Sequence, residues 1–467
     1  PPQLPPPPID VHPVDDALLL TDVRGPDSRE VRDPVSGLLT QQVDPSASLL
    51  PLRHARNDPA TTNISRLKRI KVRAAREHLS LAEHRAAIAL RRGFRKFFDV
   101  PANTAPISAP LWEQTLMEFL KSWSSGRTIR DLRRIVAQSD VEWDPLFTRL
   151  FLKSQAVKKM EKVGGPACAG QTVATFPLAK TLRDAIPALY AEKVLFKWRR
   201  PTTYLHARAS FADMSSWYQT HWLPGSLSTA NDYTAWDSGC DEIFLDFDCW
   251  LLGMIGLPAS YVSLYRFERM NTRSYLGPMP VMQFSGDRWT WLLNTARNAA
   301  ISGATLDCPE STVACFSGDD SVILGAHSPL TRHRYHMTPK PVIGRVQLFC
   351  GFRFGGSDIS VDPSVVLLRA RIGLEDGRRD ENFWDSIDYA ARLSCVDRVS
   401  TSETTTAYAT SLFARDLYSL PAPRFPLTQF LPPHASSYAF RQFRSHCRTP
   451  RSREALHSLS SRTFFPI

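Results

Sequence analysis

The segment Val313-Ala-Cys-Phe-Ser-Gly-Asp-Asp-Ser-Val-Ile-Leu324 restricts the possible folds more than any other part of this chain. Apolar and β-branched residues run into a glycine and two aspartates and resume after them. That pattern predicts a tight β-hairpin with Asp319 and Asp320 at its tip. Adjacent carboxylates on one turn repel each other unless a cation lies between them. A hard divalent ion such as Mg²⁺ or Mn²⁺ is the natural partner for such oxygens. Gly and Asp are also ordinary turn residues, so the tripeptide alone equally suits a solvated turn.

Two upstream segments add chemistry. In Thr229-Ala-Asn-Asp-Tyr-Thr-Ala-Trp-Asp237, Asp232 ends a short β-prone run and Asp237 stands where a new element begins. From Ile243 the apolar residues fall at helical spacing (Ile243, Phe244, Phe247, Trp250, Leu251, Met254), and Gly256-Leu-Pro258 should stop the helix. Asp232 is thus a third acid available to converge with Asp319 and Asp320. In Phe284-Ser-Gly-Asp-Arg-Trp-Thr-Trp-Leu-Leu-Asn-Thr295, Ser285-Gly286 is a flexible entry to a helix. Thr290 and Asn294 then lie one turn apart on one face. A hydroxyl and an amide displayed together suit recognition of a sugar hydroxyl.

Taken in order, D-x₄-D, S-G-x₃-T-x₃-N-T and G-D-D resemble the signature of viral RNA-dependent RNA polymerases. The similarity is to the alphavirus-like group, and within it to the tymovirus and flexivirus-like replicase polyproteins. Gly170-Gln-Thr-Val-Ala-Thr-Phe176, after the basic run Lys153 to Lys162, resembles the fingers segment lining the nucleotide channel in those enzymes. Phe349-Cys350-Gly351-Phe352 resembles the segment that grips the nascent strand. The resemblance runs from about Lys153 to Phe354. It departs from the common pattern at Asp287, at Trp289 and Trp291, and in Ser-Gly-Cys-Asp after Asp237.

The resemblance implies an α+β right-hand polymerase fold with fingers, a palm of small antiparallel sheet with helices behind it, and a helical thumb. The expected division is a Pro-rich linker or extended N-terminal segment over 1–50, N-terminal basic helices and fingers over 51–230, a palm with fingers insertion over 231–355, and a thumb with a C-terminal tail over 356–467. Helical signals around 381–393 and 400–418 fall in the last of these. The metal set implied is Asp232, Asp319, Asp320 and the carbonyl of Tyr233, holding two ions, Mg²⁺ or Mn²⁺. Phosphoryl transfer needs positioning and charge neutralisation more than covalent help. Lys340, in an extended Pro-Lys-Pro stretch, is the expected general acid for pyrophosphate. Asp237, Ser285, Gly286, Thr290 and Asn294 are the expected ribose network, which would reject a nucleotide lacking the 2′-hydroxyl. Lys153, Lys158, Lys159 and Lys162 are candidates for the triphosphate. Cys350, Gly351, Arg199 and Arg200 are candidates for RNA contact.

Composition agrees with a polyanionic partner: the 467 residues carry a net charge of +11, and Lys and Arg bound to phosphates release counterions. Ribosomal-type and membrane-surface proteins share that balance. Arg66, Lys68, Arg69, Lys71, Arg73, Arg76, Arg91, Arg92, Arg95 and Lys96 interleave with Ala, Leu and Ile. They predict helices with a basic face: an RNA path, a solvated surface or, for Leu79 to Phe98, a lipid-surface helix. The eight cysteines include no C-x-x-C pair, so they read as reduced thiols. No apolar run is long enough to span a membrane, and no signal peptide opens the chain. Its first residue, Pro1, leads to the expectation of a piece of a longer polyprotein. By resemblance, methyltransferase and helicase domains would lie upstream. RNA template, nascent strand and ribonucleoside triphosphates would be the partners. Synthesis would take place in host cytoplasm at membrane-associated replication complexes.

Two other functional classes compete. A reverse transcriptase-like enzyme would carry an aromatic gate at the ribose, where this chain has Ser285, Thr290 and Asn294. A non-catalytic RNA-binding or assembly protein on a polymerase scaffold would have no reason to keep all three acids.

Overall fold

The computed structural model describes residues 75–104, 106–124, 144–153, 170–207, 209–233, 236–279, 281–330 and 339–361, with the short pieces 30–32, 39–41, 53–54, 65, 130, 155–156, 335 and 337. Within the expected N-terminal linker the described pieces Glu30–Arg32 and Leu39–Gln41 pair as antiparallel strands; the rest of that segment, the basic run 66–73, Lys158, Lys159, Lys162 and the thumb beyond 361 lie outside the described residues.

A five-stranded sheet organises the chain. Its order is Pro339–Gly344, Ser228–Tyr233, Asp320–Leu324, Ala314–Ser317, Thr203–Leu205. Neighbours are antiparallel except the last pair, where Ala314–Ser317 runs parallel to Thr203–Leu205. The predicted hairpin is present, with Ala314 opposite Ile323 and Ser317 opposite Asp320.

Both faces of the central hairpin are covered, and the period-two alternation of its strands assigns side chains to each. Ala314, Phe316 and Ile323 enter one core with Phe94, Phe97, Phe98, Phe244, Phe247 and Leu293. Cys315 and Val322 enter a second core with Met214, Tyr218, Trp222, Phe349 and Phe354. Burial on two sides explains why these strands read as nearly continuous apolar runs.

The helices on the first face are Leu81–Arg95, Leu178–Trp198, Glu242–Met254 and Thr290–Thr305. The Glu242–Met254 helix begins where Asp241 accepts hydrogen bonds from the backbone of Ile243 and Phe244, and it ends ahead of Gly256-Leu-Pro258 as predicted. The Thr290–Thr305 helix is buried along most of its length, and its core-facing residues are mostly small: Ala296, Ala299, Ala300, Ser302, Gly303. Smallness lets the Leu81–Arg95 helix come very close. A β-carbon on Gly93 would lie 2.2 Å from the Ala300 carbonyl oxygen, and one on Gly303 would lie 2.3 Å from that of Gly93.

Several of the basic residues expected on a helical face hold the fold together instead. Arg91 pairs with Asp246, the Arg91 and Arg95 guanidinium groups lie over the Trp250 ring, and the Lys96 ammonium donates to the Cys308 carbonyl. Arg76 pairs with Glu83 and Glu242. Their stems cover apolar surface while their charges find specific acceptors.

Candidate active site

Three elements meet at the hairpin tip. Gly318 and Asp319 form a two-residue turn, with φ +60° at Gly318 and a negative φ at Asp319. That sign pattern belongs to a type II′ turn, which matches the twist of the flanking strands and calls for glycine first. Asp319 stands at the turn and Asp320 opens the second strand; both are exposed. Asn231 is the register partner of Ser321, so one step further the backbone sets Asp232 opposite Asp320. On its other side Asp232 is in register with Lys340 of the edge strand. The exposed Lys340 therefore joins the neighbourhood of the three acids.

The Thr290–Thr305 helix fixes this turn with one face. Thr295 Oγ1 accepts from the Gly318 N–H at 2.8 Å, and Asn298 Nδ2 donates to the Gly318 carbonyl at 3.1 Å. The Trp291 indole donates to Ser317 Oγ at 3.3 Å, and that hydroxyl donates to the His206 carbonyl. Asn298 Oδ1 also accepts from the Tyr233 hydroxyl, which burial pushes above the ordinary phenol range. From the sequence Trp291 and Thr295 carried no role of their own and Asn298 was not singled out, although the spacing of the three is that of a single helical stripe.

A second face of the same helix meets the expected ribose network. Ser285 Oγ donates to Asp237 Oδ2 at 2.8 Å and receives a hydrogen bond from Gln171 Nε2 at 3.1 Å. Gln171 is tied in turn to Lys153 through backbone and side chain. The close approach of the two segments requires Gly286. Its φ is +104°, the Ala174 N–H donates to the Ser285 carbonyl, and a β-carbon on Gly286 would lie 2.4 Å from the Ala174 carbonyl oxygen. The Thr290 hydroxyl is engaged with the Phe284 and Asp287 carbonyls and with Gln283 Nε2, so it braces the Ser285 loop. Asn294 Oδ1 accepts from Arg297.

The Phe349-Cys350-Gly351-Phe352 segment is a hairpin whose two central residues both have positive φ, 52° and 86°. Cys350 Sγ lies 3.7 Å from Asp320 Oδ2. Burial, then the Asp320 carboxylate, pushes its thiol up to about 12. Of the RNA-contact candidates, Arg200 is tied to Asp99 and to the Glu310 carbonyl, whereas Arg199 lies over the Phe196 ring, which stacks on Trp291. Lys153 is exposed beside Gln171.

Among the described residues no three acid, thiol or imidazole side chains are gathered as a metal-binding cluster. Asp232 is placed through its backbone alone. Two adjacent exposed carboxylates, with a third acid on the neighbouring strand, are nevertheless the oxygen-rich donor set that a hard divalent cation takes.

Residues 199–338 match the family model described as RNA dependent RNA polymerase. That stretch contains Asp232, Asp237, Ser285, Asn294, Asp319 and Asp320. The RNA replication protein of Botrytis virus F is 30% identical over 360 residues, covering 74% of this chain and 19% of the relative. That of Grapevine virus A is 29% identical over 336 residues, 70% of this chain and 19% of the relative. The RNA-directed RNA polymerase of Apple chlorotic leaf spot virus is 31% identical over 249 residues, 52% of this chain and 13% of the relative. The chain thus spans a fifth or less of these relatives' length. Motif order, family match and relatives agree: residues 199–338 belong to the RNA-dependent RNA polymerase family, and the chain around them resembles one portion of flexivirus replication proteins.

Proposed function

We propose that this chain copies viral RNA, adding ribonucleotides to the 3′ end of a nascent strand under the direction of an RNA template. One observation carries the reading. A single buried helix pins the Gly318-Asp319 turn with Thr295 and Asn298, and through Thr290 it braces the loop from which Ser285 donates to Asp237. The carboxylates that would serve the reacting phosphate and the groups that would read the sugar are thereby fixed relative to each other. Nucleotidyl transfer depends on such fixed geometry.

In this reading the five-stranded sheet is the palm, and the strands Arg149–Leu152 and Thr172–Thr175 belong to the fingers. Asp319, Asp320, Asp232 and the Tyr233 carbonyl would hold Mg²⁺ or Mn²⁺. Two such ions supply charge neutralisation at the triphosphate and acidify the 3′-hydroxyl. The protein's own part is to orient. Asp237, with Ser285 donating to it, keeps an acceptor at the ribose, and the Asn294 amide nitrogen offers a donor there. Lys340 Nζ, on the strand edge in register with Asp232, would deliver a proton to the leaving pyrophosphate. Lys153 and Arg199 would meet phosphates of the incoming nucleotide and of RNA. One relative is named an RNA replication polyprotein, from Apple stem pitting virus. Methyltransferase and helicase domains would lie in a corresponding upstream portion, and synthesis would occur at membrane-associated complexes in host cytoplasm.

The test is extension of a short RNA primer–template by purified protein with four ribonucleotides and Mg²⁺ or Mn²⁺, beside Asp319→Asn. Template-dependent product in the wild type and at least a roughly 100-fold loss in the variant, with an unchanged melting temperature, is the expected result. Near wild-type synthesis by Asp319→Asn would overturn the metal assignment. RNA binding without any synthesis would favour the scaffold reading.

A further inference from the structure

The residue that gives the ribose network its hydrogen-bond direction is not one of its members. Gln283 lies in an otherwise apolar stretch, Met279 to Phe284, and is fully buried. Buried amides are tolerated when every donor and acceptor is satisfied, and Gln283 meets that condition. Its Oε1 accepts from Arg269 Nη2 and from Arg297 Nη1, both at 2.8 Å. Its Nε2 donates to Thr290 Oγ1 at 3.1 Å and to the Phe284 carbonyl at 3.3 Å. Its backbone N–H donates to the Asp237 carbonyl at 2.9 Å.

The chemistry of the partners fixes which way the amide faces. A guanidinium has donors only, so the oxygen must turn to Arg269 and Arg297, and the NH₂ must turn to Thr290. Thr290 Oγ1 then has to accept, which sends its own proton to the Asp287 or Phe284 carbonyl, at 2.8 and 3.0 Å. Arg297 is itself held by Asp248, through Nε at 2.9 Å and through Nη2. Its Nη1 also reaches Asn294 Oδ1 at 3.4 Å. That contact turns the Asn294 carbonyl oxygen toward Arg297 and its NH₂ the other way. Arg269 pairs with Asp287, next to the Ser285-Gly286 turn. Gln283 thus contacts Thr290 through its side chain and the Asp237 carbonyl through its backbone, and it shares Arg297 with Asn294.

We propose that Gln283 is the positioning residue for ribose selection: clamped between Arg269 and Arg297, it fixes the hydrogen-bond polarity of Thr290 through its side chain and holds the Asp237 carbonyl through its backbone. The inference rests on the polymerase reading and adds to it the source of discrimination between ribo- and 2′-deoxyribonucleotides. A site that reads a hydroxyl rejects the analogue lacking it only if its own polar groups are already aimed.

Gln283→Glu isolates the point. Held between two guanidinium groups, the carboxylate is ionised and keeps both accepted bonds, but it cannot donate to Thr290 or Phe284. Thr290→Val removes the same Gln283–Thr290 bond from the other end, together with the hydroxyl's own donation to the Asp287 or Phe284 carbonyl. The measurement is the ratio of kcat/KM for ATP and 2′-deoxyATP in primer extension, with thermal melting of each variant. A second, synthesis-free readout is competition of the two nucleotides against a fluorescent ATP analogue. The expected result is a fall of about tenfold in the discrimination ratio of both variants, with kcat for ATP in Gln283→Glu held within about threefold. The discrimination ratio of the double variant should be no worse than that of the more affected single one, because both remove the Gln283–Thr290 bond.

A folded Gln283→Glu protein that keeps the wild-type ratio within twofold would overturn the inference. So would a loss shared equally by both nucleotides, which marks a structural role only. Failure of the polymerase reading looks different: the wild type itself would neither extend a primer nor distinguish the two nucleotides in competition.

Discussion

Two tight turns flank Asp320, and they solve the same problem differently. At Gly318-Asp319 the position with positive φ is a glycine, and nothing lies within 4 Å of where its β-carbon would be. The turn is unstrained and is held from outside by Thr295 and Asn298. At Cys350-Gly351 both central residues are left-handed, yet the first is a cysteine. Asn, Asp or Gly is the usual occupant, and a β-carbon there costs about 1–3 kcal/mol. The first turn is built for where its backbone sends two carboxylates. The second keeps a side chain at the expense of its backbone, and that side chain rests against Asp320. The contrast separates a turn whose function lies in its shape from one whose distinguishing feature is a thiol.

Gly318→Ala should break the first turn with the largest effect. Open space around the site leaves backbone strain as the sole lesion, about 1–3 kcal/mol. Relief of that strain by a change of turn type would re-aim Asp319, and a displacement of about 1 Å at a reacting centre can cost a hundredfold in rate. Expected are a melting temperature lowered by a few degrees and primer extension reduced by two orders of magnitude. Full activity in the alanine variant would mean that the carboxylates do not depend on the type II′ geometry.

Cys350→Asn sharpens the other side of the comparison. Asn-Gly is a favoured pair for a turn with two positive φ values, so relief of strain should stabilise the protein by about 1 kcal/mol. Thermal melting should show a rise of a degree or more. A fall would mean that the half-buried thiol contributes more through packing than its backbone conformation costs.

The same contrast marks what the sequence made legible. The Gly318 turn, the strands around it and the helix after Asp241 follow from local rules: alternation, a glycine where φ is positive, an N-cap aspartate. The order of acids, Ser285-Gly286 and Asn294 followed from spacing and resemblance. What stayed hidden was decided by partners remote in sequence. The ties of Arg200 to Asp99 and to the Glu310 carbonyl have no signal in its own segment. Arg91 looks solvated until it meets Asp246. Gln283 is one amide in an apolar run until two arginines close on it. The parallel pairing of Thr203–Leu205 with Ala314–Ser317 is likewise a tertiary event with no local signature. Trp291, Thr295 and Asn298 lie between these cases: their helical stripe was visible, but its target, the Gly318 peptide, was not.

The smallest effect expected belongs to Cys350→Ser, and it decides what the strained cysteine is for. Serine keeps the β-carbon and therefore the left-handed strain, so the backbone term is unchanged. It replaces a polarisable thiol by a hydroxyl whose shorter C–O bond draws the polar atom away from Asp320. A 3.7 Å S–H···O contact is weak, and burial with the neighbouring carboxylate keeps the thiol protonated at neutral pH, so little is lost electrostatically. Melting temperature and primer extension should both stay close to wild type, extension within about twofold. If extension instead falls tenfold while Cys350→Asn retains it, the hydroxyl has disturbed Asp320. If both variants lose activity at undiminished stability, the thiol itself acts on Asp320, and the strain at this turn is retained for that contact.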